Sequence, residues 1–327
     1  MYLPEIEFSL WADFIERSFL EQEFPKLLHE EIVNGATSNP AIFKEAILKS
    51  PAYKEQLSEL TGLSPKEKYE ALAIADIQKA ADILKPLYEK GDDGFVSIEV
   101  DPRLANDAKG TVEEALRLLQ RIDRKNVMIK VPVTPAGCAA IEELVGEGVN
   151  VNATLIFSPN QADECLDAME AGFKKNQSSH TVLSIFVSRF DRKLDPLMQA
   201  KGLPTGKVGI MNAAKIYNMI KKRNLPNTKA LFASTGVKGG EYPPHYYISE
   251  LVAPKAVNTA PIHTIEAFVR DGDKSVKLPL PQDEIDKFFA LLKANEIDMK
   301  KVYHELLQEG LQAFVDAFEE ILKELQC

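Results

Sequence analysis

Three features of the sequence predict an α/β fold, namely a single (β/α)8 (TIM) barrel with additional C-terminal helices. Short β-branched runs alternate with amphipathic stretches, and no low-complexity linker interrupts them before the C-terminal segment. Eight runs qualify as strands, which is a barrel's number. Four of the strands carry polar side chains on one face and only apolar ones on the other.

In chain order, the weaker strand candidates 7–12 and 33–38 come first, followed by 95–100 (FVSIEV), 127–133 (VMIKVPV), 149–156 (VNVNATLI), 182–188 (VLSIFVS) and 229–234 (KALFAS), and a weak 248–252 closes the set. Helical periodicity covers 14–31, 41–60, 65–90, 103–124, 135–147, 159–175, 206–224 and 261–270. Pro135 and Pro159 fall at early helical positions, where a missing N–H is harmless. After Pro281 the character changes, and 283–295 and 298–325 read as two helices with nothing strand-like between them. The second has an apolar stripe running from Val302 through Leu306, Leu311, Phe314 and Phe318 to Leu325, and should lie across the outside or rim of the barrel. Residues 1–280 are thus expected to form the barrel, and 281–327 a helical extension packed on it within the same domain.

The parity of the polar residues carries the argument from fold to function. Ser97 and Glu99 oppose Val96, Ile98 and Val100, while Lys130 and Met128 oppose Val127, Ile129, Val131 and Val133. Asn150, Asn152 and Thr154 oppose Val149, Val151, Ala153 and Leu155, and Ser184, Phe186 and Ser188 oppose Leu183, Ile185 and Val187. An open parallel sheet with helices on both sides needs both faces apolar. A closed barrel covers only its outside, and its interior is normally filled with branched apolar residues, so inward polar groups of this kind demand a function.

Composition narrows which function. A net charge of −10 and the lack of basic stretches interleaved with aromatics argue against nucleic acid as a partner. No run of about eighteen apolar residues could span a bilayer, and the acidic N-terminal stretch does not resemble a signal peptide, so no membrane association and a cytoplasmic location are expected. Cys138, Cys165 and Cys327 are far apart without CxxC spacing, and the five histidines never occur at i, i+4, so no metal site is expected. No Walker or dinucleotide motif occurs.

Lys130 lies mid-strand, where an ammonium would have to leave water, and burial favours the neutral amine that can attack a carbonyl. Cleavage of a carbon–carbon bond through an imine then needs two proton-transfer groups. One dehydrates the carbinolamine, and the other takes the proton from the hydroxyl at the breaking bond. Glu99 and Asp13 are the inward carboxylates available; as single residues, either reads equally well as an ion-pair partner of Lys130. Arg189, read as ending the sixth strand, and the loop Ser234-Thr235-Gly236-Val237-Lys238 after the seventh stand where late barrel loops often hold phosphate.

Several of these segments resemble the transaldolase family. The match runs through Trp11-Ala12-Asp13, GATSNPAIF (35–43), SIEVDPR (97–103), VMIKVPVTPAGCAAIEEL (127–144), VNAT (151–154), the segment 184–189 and the segment 233–238, nearly the whole barrel in order. The resemblance implies a Schiff base on Lys130, with Glu99 working through a water held by Thr154 and Asp13 as acid/base at the breaking bond. It further implies that Asn39, Asn152 and Ser184 hold the dihydroxyacetone hydroxyls and that Arg189, Ser234 and Lys238 hold the phosphate. The implied reaction moves a dihydroxyacetone unit from sedoheptulose 7-phosphate or fructose 6-phosphate to glyceraldehyde 3-phosphate or erythrose 4-phosphate, in the non-oxidative pentose phosphate pathway, with no cofactor. The chain would act as a monomer or homodimer.

The loop STGVKGGEYPPHYY is similar to that of one longer bacterial subgroup, and Cys138 departs from the branched aliphatic residue usual at its position. Three alternatives stand beside this reading. A metal-dependent barrel aldolase would need histidine ligands near strand ends, and these strands have none. A fructose 6-phosphate aldolase of the same superfamily resembles a shorter chain with a tyrosine in place of the proton-shuttling acid. A non-catalytic sugar-phosphate-binding barrel would keep the fold alone.

Overall fold

A computed structural model describes residues 1–326; Cys327 lies outside them. Eight parallel strands close into a barrel in sequence order: β1 (Ser9–Ala12), β2 (Gly35–Thr37), β3 (Phe95–Glu99), β4 (Val127–Pro132), β5 (Val151–Ile156), β6 (Thr181–Phe186), β7 (Thr228–Ala233) and β8 (Ala256–Ala260). Pairing of Ser9–Ala12 with Val257–Ala260 closes the ring. Among the described residues no helix is long and apolar enough to cross a membrane.

The eighth strand lies downstream of the expected 248–252. That run forms a helical turn at Tyr246–Ser249 and the coil after it, and its Ile248, Leu251 and Val252 pack into the outer core. The strand itself, AVNTA, has little β-propensity. Its backbone bonds to β1 on one side and β7 on the other hold it in place, so ladder closure overrides side-chain preference.

A helix at Ser188–Ala200, which the periodicity reading did not include, follows β6. Its sequence, SRFDRKLDPLMQA, is dense in charge and contains Pro196, and both features obscure the apolar line of Phe190, Leu194 and Met198 that it buries. Strand β6 therefore stops at Phe186, and Arg189 sits in the first turn of this helix rather than at the strand end.

The alternation of faces is otherwise as expected. Val96, Ile98, Ile129, Val131, Val151, Leu183 and Ile185 join the core between barrel and helices, while Trp11, Phe95, Met128, Val182, Leu231 and Val257 belong to the inner cluster. On β3, β4 and β6 the apolar Phe95, Met128 and Val182 come early, and the inward Ser97, Glu99, Lys130 and Ser184 come later, while Asn152 and Thr154 lie on β5, all of them buried. An apolar floor thus supports a polar layer toward the C-terminal ends of the strands.

Leu155 breaks the parity. It was expected to point outward, but the register between β5 and β6 shifts between Ala153 and Ile156, Leu155 takes a positive φ of 57°, and its side chain joins the inner cluster. A bulge inserts one residue and re-aims its neighbours, and a branched residue in this backbone region is strained. It directly follows Thr154.

Gly35, at the start of β2, is required sterically: a methyl group there would come within 2.5 Å of the Trp11 indole. Gly35→Ala is expected to lower stability by about 1–3 kcal/mol through overpacking. A shift of the denaturant midpoint at unchanged m-value checks this, and an unchanged midpoint would show that Trp11 can move aside.

The C-terminal helices occupy Gln282–Ala294 and Met299–Glu324. The last helix packs on those at Pro40–Lys49 and Pro65–Glu89 and touches β5, which brings Phe314 over the barrel mouth.

Candidate active site

Strand register assembles the centre of the site. Glu99 pairs with Lys130 across β3 and β4, and Lys130 with Asn152 across β4 and β5, so three inward side chains stand at one level. Lys130 Nζ donates to Ser38 O at 3.1 Å and lies 3.9 Å from Glu99 Oε2. It also sits 6.0 Å from the centre of the Phe314 ring, which caps it from the last helix. The lysine side chain is only 6% exposed and that of Glu99 2%, so their interaction is not screened by solvent.

Asp13 follows β1 and stays in its ladder, with its N–H bonded to Ala260 O at 2.9 Å. Its Oδ1 accepts from Thr37 Oγ1 at 2.7 Å, and that hydroxyl shares a second bond of 2.7 Å with Thr259 Oγ1. Asn39 caps the helix Pro40–Lys49 by accepting from Ile42 N–H at 3.0 Å, which orients its amide and leaves its two N–H donors without a partner among the described residues. Asn152 donates to Ser97 Oγ at 3.0 Å and accepts from Ser184 Oγ at 2.6 Å, which fixes Ser184 in place.

Burial pushes the Glu99 carboxyl up from its ordinary 4.5 to about 8, against the attraction of Lys130 and with added repulsion from Asp13. The Asp13 carboxyl is also raised by burial, although Lys130 and the Thr37 hydrogen bond oppose the shift. Among the described residues, neither Glu99 oxygen has a hydrogen-bond partner, and neither does Thr154 Oγ1, although all three are buried. A carboxyl that keeps its proton near neutrality can serve as an acid, which a committed ion-pair partner of Lys130 could not.

A stability consequence follows. The unfolded chain releases the Glu99 proton above pH 4.5, while the folded chain holds it to about 8. Stability is therefore full below 4.5, falls as pH rises toward about 8 and levels off above. The melting temperature of Glu99→Gln is expected to gain on that of the parent through this window and not beyond it. A difference that stays constant with pH would contradict the raised carboxyl.

A cavity of about 150 Å³ brings together Asp13, Asn39, Lys130, Ser184, Arg189 and Ser234, together with Thr37, Phe186, Thr259 and Phe314. A family model described as Transaldolase/Fructose-6-phosphate aldolase matches residues 10–325. The chain belongs to the transaldolase/fructose-6-phosphate aldolase family. A Campylobacter jejuni subsp. doylei protein named transaldolase is 50% identical over 331 residues, covering 97% of this chain and 99% of that one. A Helicobacter pylori protein of the same name is 44% identical over 317 residues, covering 97% and 98%.

In this transaldolase-family barrel the expected residues divide into three groups. Six line the cavity, while Glu99, Asn152 and Thr154 are buried among the inward side chains of β3 to β5. Lys238 lies instead on a neighbouring cavity of about 790 Å³. Thr37, Thr259 and Phe314 join the site in addition to the residues that the sequence predicts. Thr37 lies within the quoted segment 35–43 and could have been found by its inward parity. Thr259 lay outside every expected strand, and Phe314 looked like one member of an apolar stripe.

Proposed function

We propose that this chain catalyses the transaldolase reaction, transferring a dihydroxyacetone unit between sugar phosphates through an imine on Lys130. The observation that carries the proposal is the placement of a buried lysine amine 3.9 Å from a carboxyl raised to about 8, with a second carboxyl on the same cavity.

The Lys130 amine attacks the ketose carbonyl carbon to give a carbinolamine. Glu99 then donates its proton to the departing hydroxyl, water leaves, and the nitrogen lone pair completes the C=N bond. That water is assigned to Thr154 Oγ1 and the Glu99 oxygens, and the reading is supported by their burial without a hydrogen-bond partner among the described residues. Asp13 takes the proton of the hydroxyl on C4, the departing carbon of the C3–C4 bond that breaks, and that C–O becomes the carbonyl of the leaving aldose phosphate. The electron pair of the broken C–C bond passes into the iminium and leaves an enamine. Asn39 and Ser184 hold the hydroxyls of the retained three-carbon unit, with Asn152 fixing Ser184. Arg189, Ser234 and Lys238 supply contacts for the phosphate. An aldose phosphate then adds to the enamine by the same steps reversed. The charge of sugar phosphates keeps them from crossing bilayers, which favours the cytoplasm as the working compartment.

The test is turnover of fructose 6-phosphate with and without erythrose 4-phosphate. Acceptor-dependent formation of the seven-carbon product is expected. Release of free dihydroxyacetone at an equal rate would make the chain an aldolase, and no turnover of either kind a binding protein.

A further inference from the structure

The cavity beside the reaction site is walled by Ser188, Arg192, Val237, Lys238 and Tyr242 among others, and measures about 790 Å³. Ser234 lines the inner cavity and Ser188 the outer, and their hydroxyls share a hydrogen bond of 3.1 Å at the boundary. The helix Ser188–Ala200 runs past both, with Arg189 on the inner cavity and Arg192, about one turn later, on the outer.

Size and charge both point outward. The inner cavity, at about 150 Å³, is smaller than the roughly 300–1,000 Å³ typical of small-molecule pockets, so a sugar phosphate anchored at Lys130 has to extend past the two serines. Among the described residues, no carboxylate lies within ion-pair distance of Arg189, Arg192 or Lys238. Three acids share the outer wall, Asp191, Asp195 and Glu241, and among the described residues none of them forms an ion pair with Arg192 or Lys238. Asp191 accepts from Gly209 N–H at 3.1 Å, and Asp195 accepts from Gly206 N–H at 2.9 Å and from Tyr242 O–H at 3.0 Å. Repulsion from Arg192 is the foremost cause that lowers the Lys238 ammonium below its ordinary range. Three neighbouring cations that have no ion-pair partner among the described residues, in a chain of net charge −10, make a local positive site suited to an anion.

We propose that the substrate's phosphate is held across the Ser188–Ser234 boundary and that Arg192, together with Lys238, is its specificity-determining contact on the outer side. This rests on the transaldolase reading, and it adds to the expected phosphate residues an arginine that the sequence reading did not single out.

The test compares Arg192→Gln with the parent on fructose 6-phosphate and on fructose, which lacks the phosphate. Loss of a charge-assisted contact is expected to lower the ratio of kcat/KM for the two substrates by about 10- to 100-fold, mainly through KM. Arg192→Lys, which keeps the charge, should recover part of that ratio. Binding of inorganic phosphate, measured by calorimetry, should weaken by a similar factor in Arg192→Gln. An equal loss on both sugars, or unchanged phosphate binding, overturns the proposal. Because calorimetry needs no turnover, it distinguishes this failure from failure of the transaldolase reading, in which the parent transfers no three-carbon unit but binds phosphate through Arg192.

Discussion

Lys130→Met is expected to lose turnover by at least about a thousandfold, because it removes the nucleophile on which every later step depends. The same variant should remain folded. Its side chain is similar in length, and what it removes from the buried site is an amine whose hydrogen bond goes to Ser38 O rather than a packed apolar group. In the parent, fructose 6-phosphate with borohydride should inactivate the enzyme by reducing the imine to a stable secondary amine. Mass analysis should find the adduct on the peptide containing Met128 to Val133. Label on Lys125 or Lys238 instead, or three-carbon exchange by the methionine variant at a comparable rate, would remove Lys130 from its role. Circular dichroism of the variant guards against loss of activity through misfolding.

The two carboxyl groups should fail at different steps. Asp13→Asn keeps the hydrogen bond from Thr37 within reach but cannot take a proton, so imine formation proceeds and cleavage stops. Borohydride should then trap the whole six-carbon donor on Lys130. Glu99→Gln removes the proton that departs with water, so adduct formation itself should slow by about 10²- to 10⁴-fold. Single-turnover mixing followed by mass analysis separates these outcomes. A trapped six-carbon adduct in the Glu99 variant, and none in the Asp13 variant, would exchange the two roles.

Much of this site is legible along the chain because strand alternation is a local property. Lys130, Glu99, Asn152 and Ser184 could be assigned to the barrel interior from parity, since neighbours on a strand must face opposite ways. The same rule misplaced Leu155, because a bulge adds a residue to one strand only and cannot be seen without its partner. Arg192 is hidden along the chain for a different reason. The charge density and Pro196 of its helix hid a short apolar face that becomes evident only when Phe190, Leu194 and Met198 are seen buried.

By itself, then, the sequence determined the barrel, its polar inner face and the inward lysine and glutamate, Lys130 and Glu99, all of which follow from periodicities within single segments. Tertiary structure alone decided that Ala256–Ala260 closes the ring, that Thr259 meets the Thr37 hydroxyl that also bonds Asp13, and that Phe314 is laid over Lys130. Thr37 and Thr259 stand 222 positions apart. Contacts of that kind depend on the register in which eight strands close and on where a distant helix docks, and these are set by the summed packing and backbone pairing of the whole barrel rather than by the residues that meet.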